Sequence, residues 1–279
     1  RAASSGVTAV QENGFKVWGL YLTSSNPSGT HQFGEDGTLV TYDNNKWTYS
    51  PEQHWKNADY VFAAVTPPSV SSDYDEASGK IFIQDFDVTS QIDLMVAYKD
   101  GIKGSERKTV QLSFGHMLSK INIKVSQDVT ADPRSEYFVT GVTLNGVQKT
   151  GSYTGAWDFS DNKVSLVQTY KEPVLLKNAL SGHTGLPELK IWGEEGILLM
   201  QQDFNIDAIE ILLEFNHKLP GQSRLVPGSV KGYIPATPVW ESGKSYTYSV
   251  SISRSADIKF SVPTIEPWAN VTSSTIIVQ

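Results

Sequence analysis

Short runs in which apolar and polar residues alternate recur along this 279-residue chain, and this pattern constrains the fold more than any other feature. The clearest run places Tyr246, Tyr248, Val250 and Ile252 at every second position, as in a strand with one buried face. Similar runs, rich in β-branched and aromatic residues, are separated by Gly, Asn, Asp, Ser and Pro. Many short strands at regular spacing are typical of β-sandwiches and barrels, so the sequence predicts an all-β protein.

Composition excludes several classes of protein. The formal net charge is -7 and no dense Lys/Arg stripe occurs, which argues against a nucleic-acid partner. The chain has no cysteine, so disulfides, thiolate metal sites and a cysteine nucleophile are excluded. No apolar run approaches the roughly 18 residues that span a bilayer. The first residues lack an apolar signal core, so any targeting segment is expected to lie outside this chain.

The segment KDGIKGSERK, residues 99–108, has the composition of an exposed linker. It is charged, contains two glycines and has no apolar periodicity. A boundary within it predicts an N-terminal β-sandwich domain at 1–105 and a C-terminal one at 106–279.

The stretch VQLSFGHMLSKINIKV, residues 110–125, changes its alternating phase partway along. Apolar residues occupy even positions up to Phe114 and odd positions from Ile121 onward. Because strand side chains repeat every two residues, a β-bulge or a short break is required near Gly115. The first half of such a strand would pack against one layer and its second half against another. His116 beside the change is either a ligand or base, or a histidine bonded to backbone at the bend, and the second interpretation is favoured.

Sequence motifs for catalysis or cofactor binding are missing. The chain has no G-x-S-x-G elbow, no H-E-x-x-H helix and no nucleotide-binding glycine loop, and its five histidines are scattered. A carboxylate pair stays open, because any two acids could meet across strands. Asp73, Asp75 and Glu76 could bind Ca²⁺, but a solvated acidic loop is favoured. We therefore expect no enzyme, no cofactor and no metal.

Aromatic residues in NNKWTYSPEQHW suggest a binding function. Trp47, Tyr49 and Trp55 lie in a loop-rich stretch, and exposed rings of this kind stack on sugars. The favoured alternative is that these rings cover the end of a sandwich core.

Three stretches, in order, resemble the fimbrillin-like proteins of Bacteroidetes, which are type V pilus subunits and fimbrial adhesins. They are the strand 110–125, the strand 238–253 and the segment 258–271. The positions that match are Phe114, His116, Ser119, Lys120, Ile121, Trp240, Gly243, Tyr246, Tyr248, Ile258, Phe260, Ile265 and Trp268. Gln201-Gln202 departs from the Pro-Gln that the family often has.

The resemblance implies two transthyretin-like Greek-key β-sandwich domains. It also implies export to the cell surface and outer membrane through a lipid anchor on the precursor, outside this chain. The implied partners are other pilus subunits, joined by strand addition, and a host or bacterial surface protein or glycan.

Both termini are candidates for the assembly step that the resemblance implies. Arg1 could mark processing by an Arg-specific protease, or could stand there by accident. The final Thr275, Ile276, Ile277 and Val278 could form a donor strand, or the last strand of their own sandwich, which is favoured. The leading hypothesis is a fimbrial subunit or adhesin, and the alternative is a surface glycan-binding lipoprotein.

Overall fold

A computed structural model describes residues 7–128, 135–159, 162–176, 188–201, 209–235, 239–252, 258–269 and 271–276. The regular secondary structure of these residues is almost entirely β-strand, so the all-β prediction is confirmed. Within the described residues, no helix is long and apolar enough to cross a membrane.

One short helix, α1 (Val7–Asn13), precedes the strands. The strands, in chain order, are β1 (Phe15–Thr23), β2 (Asn26–His31), β3 (Thr38–Asp43), β4 (Lys46–Tyr49), β5 (Asp59–Thr66), β6 (Ser72–Asp75), β7 (Lys80–Asp87), β8 (Met95–Lys103), β9 (Val110–His116), β10 (Ser119–Gln127), β11 (Glu136–Gln148), β12 (Thr150–Tyr153), β13 (Trp157–Phe159), β14 (Lys163–Leu176), β15 (Leu189–Lys190), β16 (Ile197–Leu199), β17 (Glu210–Lys218), β18 (Leu225–Tyr233), β19 (Lys244–Ile252), β20 (Ile258–Phe260), β21 (Thr264–Pro267) and β22 (Val271–Ile276).

The chain forms two compact units, and each is assembled from separate stretches of sequence. Unit 1 comprises Arg1–Leu118, Thr150–Ser160 and Trp268–Gln279. Unit 2 comprises Ser119–Lys149 and Asp161–Pro267. The hairpin of β12 and β13 and the final strand β22 therefore return to the unit in which the chain began.

Unit 1 contains an eight-stranded sheet and a four-stranded sheet. The larger has the order β22-β9-β8-β5-β1-β3-β4, with β2 on β1, and the smaller has the order β13-β12-β7-β6. Alternation along β1 and β9 buries Phe15, Val17, Leu112 and Phe114 in one core cluster. Ala9 and Val10 of α1 complete this cluster.

Unit 2 contains a six-stranded sheet around β10 and β19 and a four-stranded sheet with the order β14-β11-β17-β18. β10 and β19 pair in parallel, with Ile121 beside Tyr246 and Ile123 beside Tyr248. All four of these side chains are buried, so the alternation in both strands forms the core of this unit.

The change of phase in residues 110–125 is a break between two strands. β9 ends at His116 in unit 1, and β10 begins at Ser119 in unit 2. The main chain turns where the Met117 N–H donates to the Leu94 carbonyl at 2.9 Å. The two halves of the stretch thus belong to two different cores, as the shift of apolar residues requires.

The predicted linker at 99–108 is wrong. Residues 99–103 lie in β8, where Lys99 pairs with Phe62 and Lys103 pairs with Asp59, and a 3-10 turn follows at Gly104–Glu106. Main-chain hydrogen bonds hold this segment, and they need no apolar side chains, which is why a charged composition was misleading. The domain limits 1–105 and 106–279 stay a prediction, although the linker on which they rested is a strand.

Candidate functional site

The final strand of the described chain lies at an edge of the larger sheet in unit 1. β22 runs antiparallel to β9, with Val271 opposite Phe114 and Ser273 opposite Leu112. Thr275 and Ile276 of the predicted donor segment are part of β22, whereas Ile277 and Val278 lie outside the described residues. Arg1 also lies outside them. The seat of the terminal strand is therefore the main-chain edge of β9, a strand whose Leu112 and Phe114 side chains are buried in the core.

A buried histidine joins this seat to the residues that lead into β22. The Nδ1 atom of His116 lies 2.8 Å from Oδ1 of Asp93, and its Nε2 atom lies 3.2 Å from the carbonyl oxygen of Ala269. The imidazole stacks on the indole of Trp268, with 3.5 Å between ring centroids and 7° between planes. We call His116, Asp93, Trp268 and the Ala269 carbonyl the terminal-strand clamp.

The clamp contains a hydrogen-bonded histidine–aspartate pair that is closed to solvent on its inner side. The side chains of His116 and Asp93 are each only 1% exposed. The second carboxylate oxygen of Asp93, Oδ2, has no hydrogen-bond partner among the described residues. Trp268 is half-buried and Ala269 is exposed, so the outer side of the clamp borders water. A buried carboxylate with one unpartnered oxygen is costly, so its bond to the histidine matters.

Local structure explains why Asp93 meets His116. A 3-10 turn at Val88–Ser90, capped by the carboxylate of Asp87, ends at Gln91 in the left-handed region with φ 52°. This turn delivers Asp93 to the start of β8, where Met95 pairs with His116 in the sheet. Sequence reasoning missed Asp93, and the available signal was an acidic residue immediately before the apolar run Leu94–Ala97.

The N-terminal helix packs beside the same seat. α1 contacts β22 and β3, and it buries Ala9 and Val10 in the core cluster that includes Phe114. The helix ends at Asn13, and the N–H of the next residue, Gly14, whose φ is 72°, donates to the Val10 carbonyl at 2.9 Å. The hydroxyl of Thr66 donates to the Gly14 carbonyl at 2.7 Å. β22 thus covers the main-chain edge of β9, and α1 packs in the core cluster to which β9 contributes.

The aromatic residues proposed for glycan contact pack along the margin of the unit 1 core. Trp47 lies 5.1 Å from Phe15 between ring centroids, and Tyr49 lies 5.4 Å from Phe33. Trp55 meets the edge of Tyr60 at 4.8 Å, as ring centroids. Burial raises the pKa of Tyr49. The three rings are half-buried and have structural contacts, and their role in glycan binding stays a prediction.

The acidic loop is held by its own backbone. The carboxylate of Asp75 accepts hydrogen bonds from the N–H groups of Ala77 and Ser78, and bonding by Ser78 lowers the pKa of that carboxyl. Glu76 pairs with His31. In the described part of the chain, no group of three or more His, Asp or Glu side chains has an arrangement that could hold a metal ion.

Other residues of the quoted motifs stabilise unit 2. The indole N–H of Trp240 donates to the hydroxyl of Tyr248 at 2.8 Å, and both side chains are fully buried. Burial raises the pKa of Tyr248 to about 12. The hydroxyl of Tyr246 donates to the Val239 carbonyl at 3.0 Å, Gly243 has φ 72°, and Lys120 pairs with Glu195 at 3.3 Å.

Comparison with known proteins identifies relatives of this fold. A family model described as fimbrillin-like matches residues 1–268. A crystal structure of a proposed cell adhesion protein from Bacteroides uniformis superposes with a TM-score of 0.52 at 17% identity, covering 94% of this chain and 95% of that one. Another from Parabacteroides distasonis has a TM-score of 0.54 at 12% identity, covering 96% and 91%. At these identities the structural similarity establishes the fold alone. No curated protein sequence matches the chain.

Proposed function

Because the chain belongs to the fimbrillin-like family, we propose that it is a fimbrial subunit or adhesin at the bacterial cell surface. The observation that carries this proposal is the family match, which extends over residues 1–268. The family is a structural one, so the protein acts by assembly and contact, and we assign no catalytic residue. Its partners are other pilus subunits, with a surface protein or glycan as receptor.

We further propose that assembly proceeds by strand addition at the β9 edge. Two features of unit 1 support this. β22 is an edge strand, and its main-chain pairing with β9 could be made equally by a strand of another subunit. Ala9 and Val10 of α1 pack in the core cluster that includes Phe114 of β9, and α1 contacts β22. Processing near Arg1 and a lipid anchor on the precursor belong to the same proposal.

Cross-linking between subunits tests strand addition directly, because the chain has no native cysteine. Thr272 pairs with Ser113, so one preparation carries Ser113→Cys and a second carries Thr272→Cys. We expect a short bismaleimide to join the two preparations into a covalent heterodimer under conditions that produce pili. A chain that carries both substitutions should instead form an internal cross-link, and this cross-link should block polymerisation.

The control replaces Ser229 on β18 with cysteine in place of Thr272, since Ser229 is exposed and belongs to unit 2. Strand addition through β22 is contradicted if pili form while the Ser113/Thr272 mixture yields no more heterodimer than this control. Pili that still form from internally cross-linked chains would contradict it equally.

A further inference from the structure

The outer face of the four-stranded sheet in unit 2 carries polar side chains that cross all four strands. Asn145 of β11 pairs with Glu210 of β17, which pairs in turn with Tyr233 of β18. The adjacent Leu144 and Ile211 are fully buried. Because successive strand residues point to opposite faces, Asn145 and Glu210 lie on the face away from the core. We name five residues of this face the polar row: Ser165 on β14, Asn145 on β11, Glu210 on β17, and Lys231 and Tyr233 on β18.

Hydrogen bonds fix the side chains of the polar row against one another. The Ser165 hydroxyl donates to Oδ1 of Asn145 at 2.6 Å, and Nδ2 of Asn145 donates to Oε1 of Glu210 at 3.1 Å. The second carboxylate oxygen, Oε2, accepts from Nζ of Lys231 at 3.2 Å. The bond from Lys231, followed by that from Asn145, holds the pKa of the Glu210 carboxyl below its usual value. The row is ordered before any ligand arrives, which lowers the entropy cost of binding.

The groups of the polar row keep hydrogen-bonding capacity on their solvent side. A lysine ammonium has three N–H donors and an asparagine amide has two. In the described part of the chain, Lys231 and Asn145 each direct a donor to Glu210, which leaves further donors for a ligand. The Ser165 hydroxyl donates its proton to Asn145 and can still accept through its lone pairs. The row therefore offers both donors and acceptors, which suits hydroxyl groups that donate and accept at once.

An exposed aromatic ring lies at one end of the row, with apolar side chains beside it. Tyr233 is 56% exposed, and Val167 on β14 is 60% exposed. Val167 pairs with Thr143, which pairs in turn with the half-buried Leu212. An aromatic ring presents apolar surface and loses little entropy on binding, so it suits the C–H face of a sugar. Four strands spaced about 4.8 Å apart make the row about 14 Å long, the length of a short oligosaccharide.

The charges of the row favour a neutral sugar over an anion or a protein. Glu210 and Lys231 form an ion pair, so they offer no net charge to a carboxylate or sulfate group. The core of a protein interface is depleted in charged residues, whereas this ion pair lies within the row. A neutral oligosaccharide matches both the exposed ring and the mixed donors and acceptors.

We propose that the polar row is a binding site for a neutral oligosaccharide, with Tyr233 as the stacking platform and the other four side chains as partners of its hydroxyl groups. The inference rests on the adhesin role proposed above, and it specifies the site and the chemical class of a glycan receptor. It is separate from the glycan hypothesis for Trp47 and Trp55, which belong to unit 1.

Calorimetry of the full chain with defined sugars tests this site. The probes are neutral hexasaccharides of glucose, xylose, mannose and galactose, with sialyllactose and oligogalacturonate as acidic probes. We expect a neutral probe to bind more tightly than either acidic probe. Tyr233→Ala should weaken this binding at least about tenfold, as loss of an aromatic anchor commonly does. Leu225→Ala is the matched control, because Leu225 is 45% exposed on the same strand, and it should change the affinity less than about twofold.

A second measurement needs no variant. When the unaltered protein is titrated with the neutral probe that binds, the side-chain amide ¹⁵N–¹H signals of Asn145 should shift. Those of Asn122 should not, because Asn122 lies on β10 in the other sheet of unit 2 and bonds to Ser245. Shifts at Asn122 without shifts at Asn145 would overturn the proposal.

The proposal is also overturned if no neutral probe binds, if only acidic probes bind, or if Tyr233→Ala binds as tightly as the unaltered chain. A protein occupant would overturn it as well. Such an occupant would give adhesion to cells that survives periodate oxidation of their sugars and is lost in Tyr233→Ala. Pilus assembly is measured separately by the cross-linking of Ser113 with Thr272. Chains that assemble and adhere but bind no neutral probe would refute this site alone, whereas chains that neither assemble nor adhere would refute the proposed function.

Discussion

At the scale of single residues, this protein depends on polar atoms that are buried with few partners. The terminal-strand clamp in unit 1 is one case, and the bond between Trp240 and Tyr248 in unit 2 is another. Such groups contribute little net energy when paired and cost much more when one partner is removed. Conservative substitutions at these positions should therefore be more damaging than their size suggests.

Replacement of Tyr248 by Phe tests this asymmetry. The ring stays, but the indole N–H of Trp240 loses its acceptor at 2.8 Å inside a fully buried site. We expect the free energy of unfolding, measured in urea, to fall by about 1–3 kcal/mol. Tyr233→Phe in the same unit is the control, because Tyr233 is 56% exposed and its change should cost less than about 0.5 kcal/mol. Equal effects of the two substitutions would contradict the argument.

Buried phenols also make the fold sensitive to alkali. Burial raises the pKa of Tyr248 and of Tyr170 from 10.0 to about 12. The unfolded chain loses these protons first, so their contribution to stability is complete below pH 10 and is lost as the pH rises toward 12. We expect the free energy of unfolding to decrease between pH 10 and 12, and to decrease less in Tyr248→Phe. Ionisation of all tyrosines near pH 10 without loss of structure would refute this.

The glycan hypothesis depends on Trp47 and Trp55. Because both rings pack on the core margin, we expect Trp47→Ala and Trp55→Ala to lower the free energy of unfolding by about 2 kcal/mol each. For the unaltered protein and both variants, binding to a panel of polysaccharides is measured by calorimetry, and the melting temperature is measured by thermal unfolding. Loss of binding with an unchanged melting temperature would establish the rings as contacts. Absence of binding by the unaltered protein would leave them a structural role only.

At the scale of elements, sequence periodicity predicts strands better than it predicts what joins them. β19 is expected from the apolar alternation of Tyr246, Tyr248, Val250 and Ile252, and it is present. The helix α1 was not expected, since it is short and buries only Ala9 and Val10. β18 was also missed, because Pro227 and Gly228 interrupt its pattern. The parallel pairing of β10 with β19 joins residues more than a hundred positions apart, which no local pattern contains.

Glycine is required in the turn from α1 into β1 for two reasons, a positive φ and a close contact. A comparison of Gly14 with Gly101 separates the two effects. Gly14 has φ 72°, and a Cβ there would lie 2.5 Å from the Val40 carbonyl oxygen. Gly101 in the same unit has φ 66° with nothing within 4 Å. Gly101→Ala should cost about 1–2 kcal/mol from backbone strain alone. Gly14→Ala should cost at least twice as much in chemical unfolding, and a similar cost for both would show that the close contact is relieved.

At the scale of the whole molecule, the sequence predicts two consecutive domains, whereas the two compact units of the structure are each built from separate stretches of the chain. A composition-based cut divides a chain into consecutive pieces. In the structure, β9, the hairpin of β12 and β13, and β22 belong to unit 1, although all follow residue 105. The phase change at Gly115 was the one local sign of this crossing, since it marks where the chain leaves one core for another.

Fragments of the chain distinguish the two divisions. The fragment 1–105 lacks β9, β22 and the β12–β13 hairpin, so the buried side chains that β9 contacts would be exposed. We expect this fragment to lack near-UV circular dichroism and a cooperative thermal transition. A cooperative transition in 1–105 would instead support the boundary predicted from composition.

A second fragment, residues 119–267, contains unit 2 together with the hairpin 150–160, which belongs to unit 1. The two ends of this hairpin segment lie close together, because the Lys149 N–H donates to the Asn162 carbonyl at 2.9 Å. A two-residue Asn-Gly turn can therefore replace residues 150–161 without stretching the chain. We expect the shortened fragment to unfold cooperatively, with its β10–β19 core intact. If it fails to fold while the unshortened 106–279 folds, the hairpin is needed by unit 2, and the division by contacts is wrong.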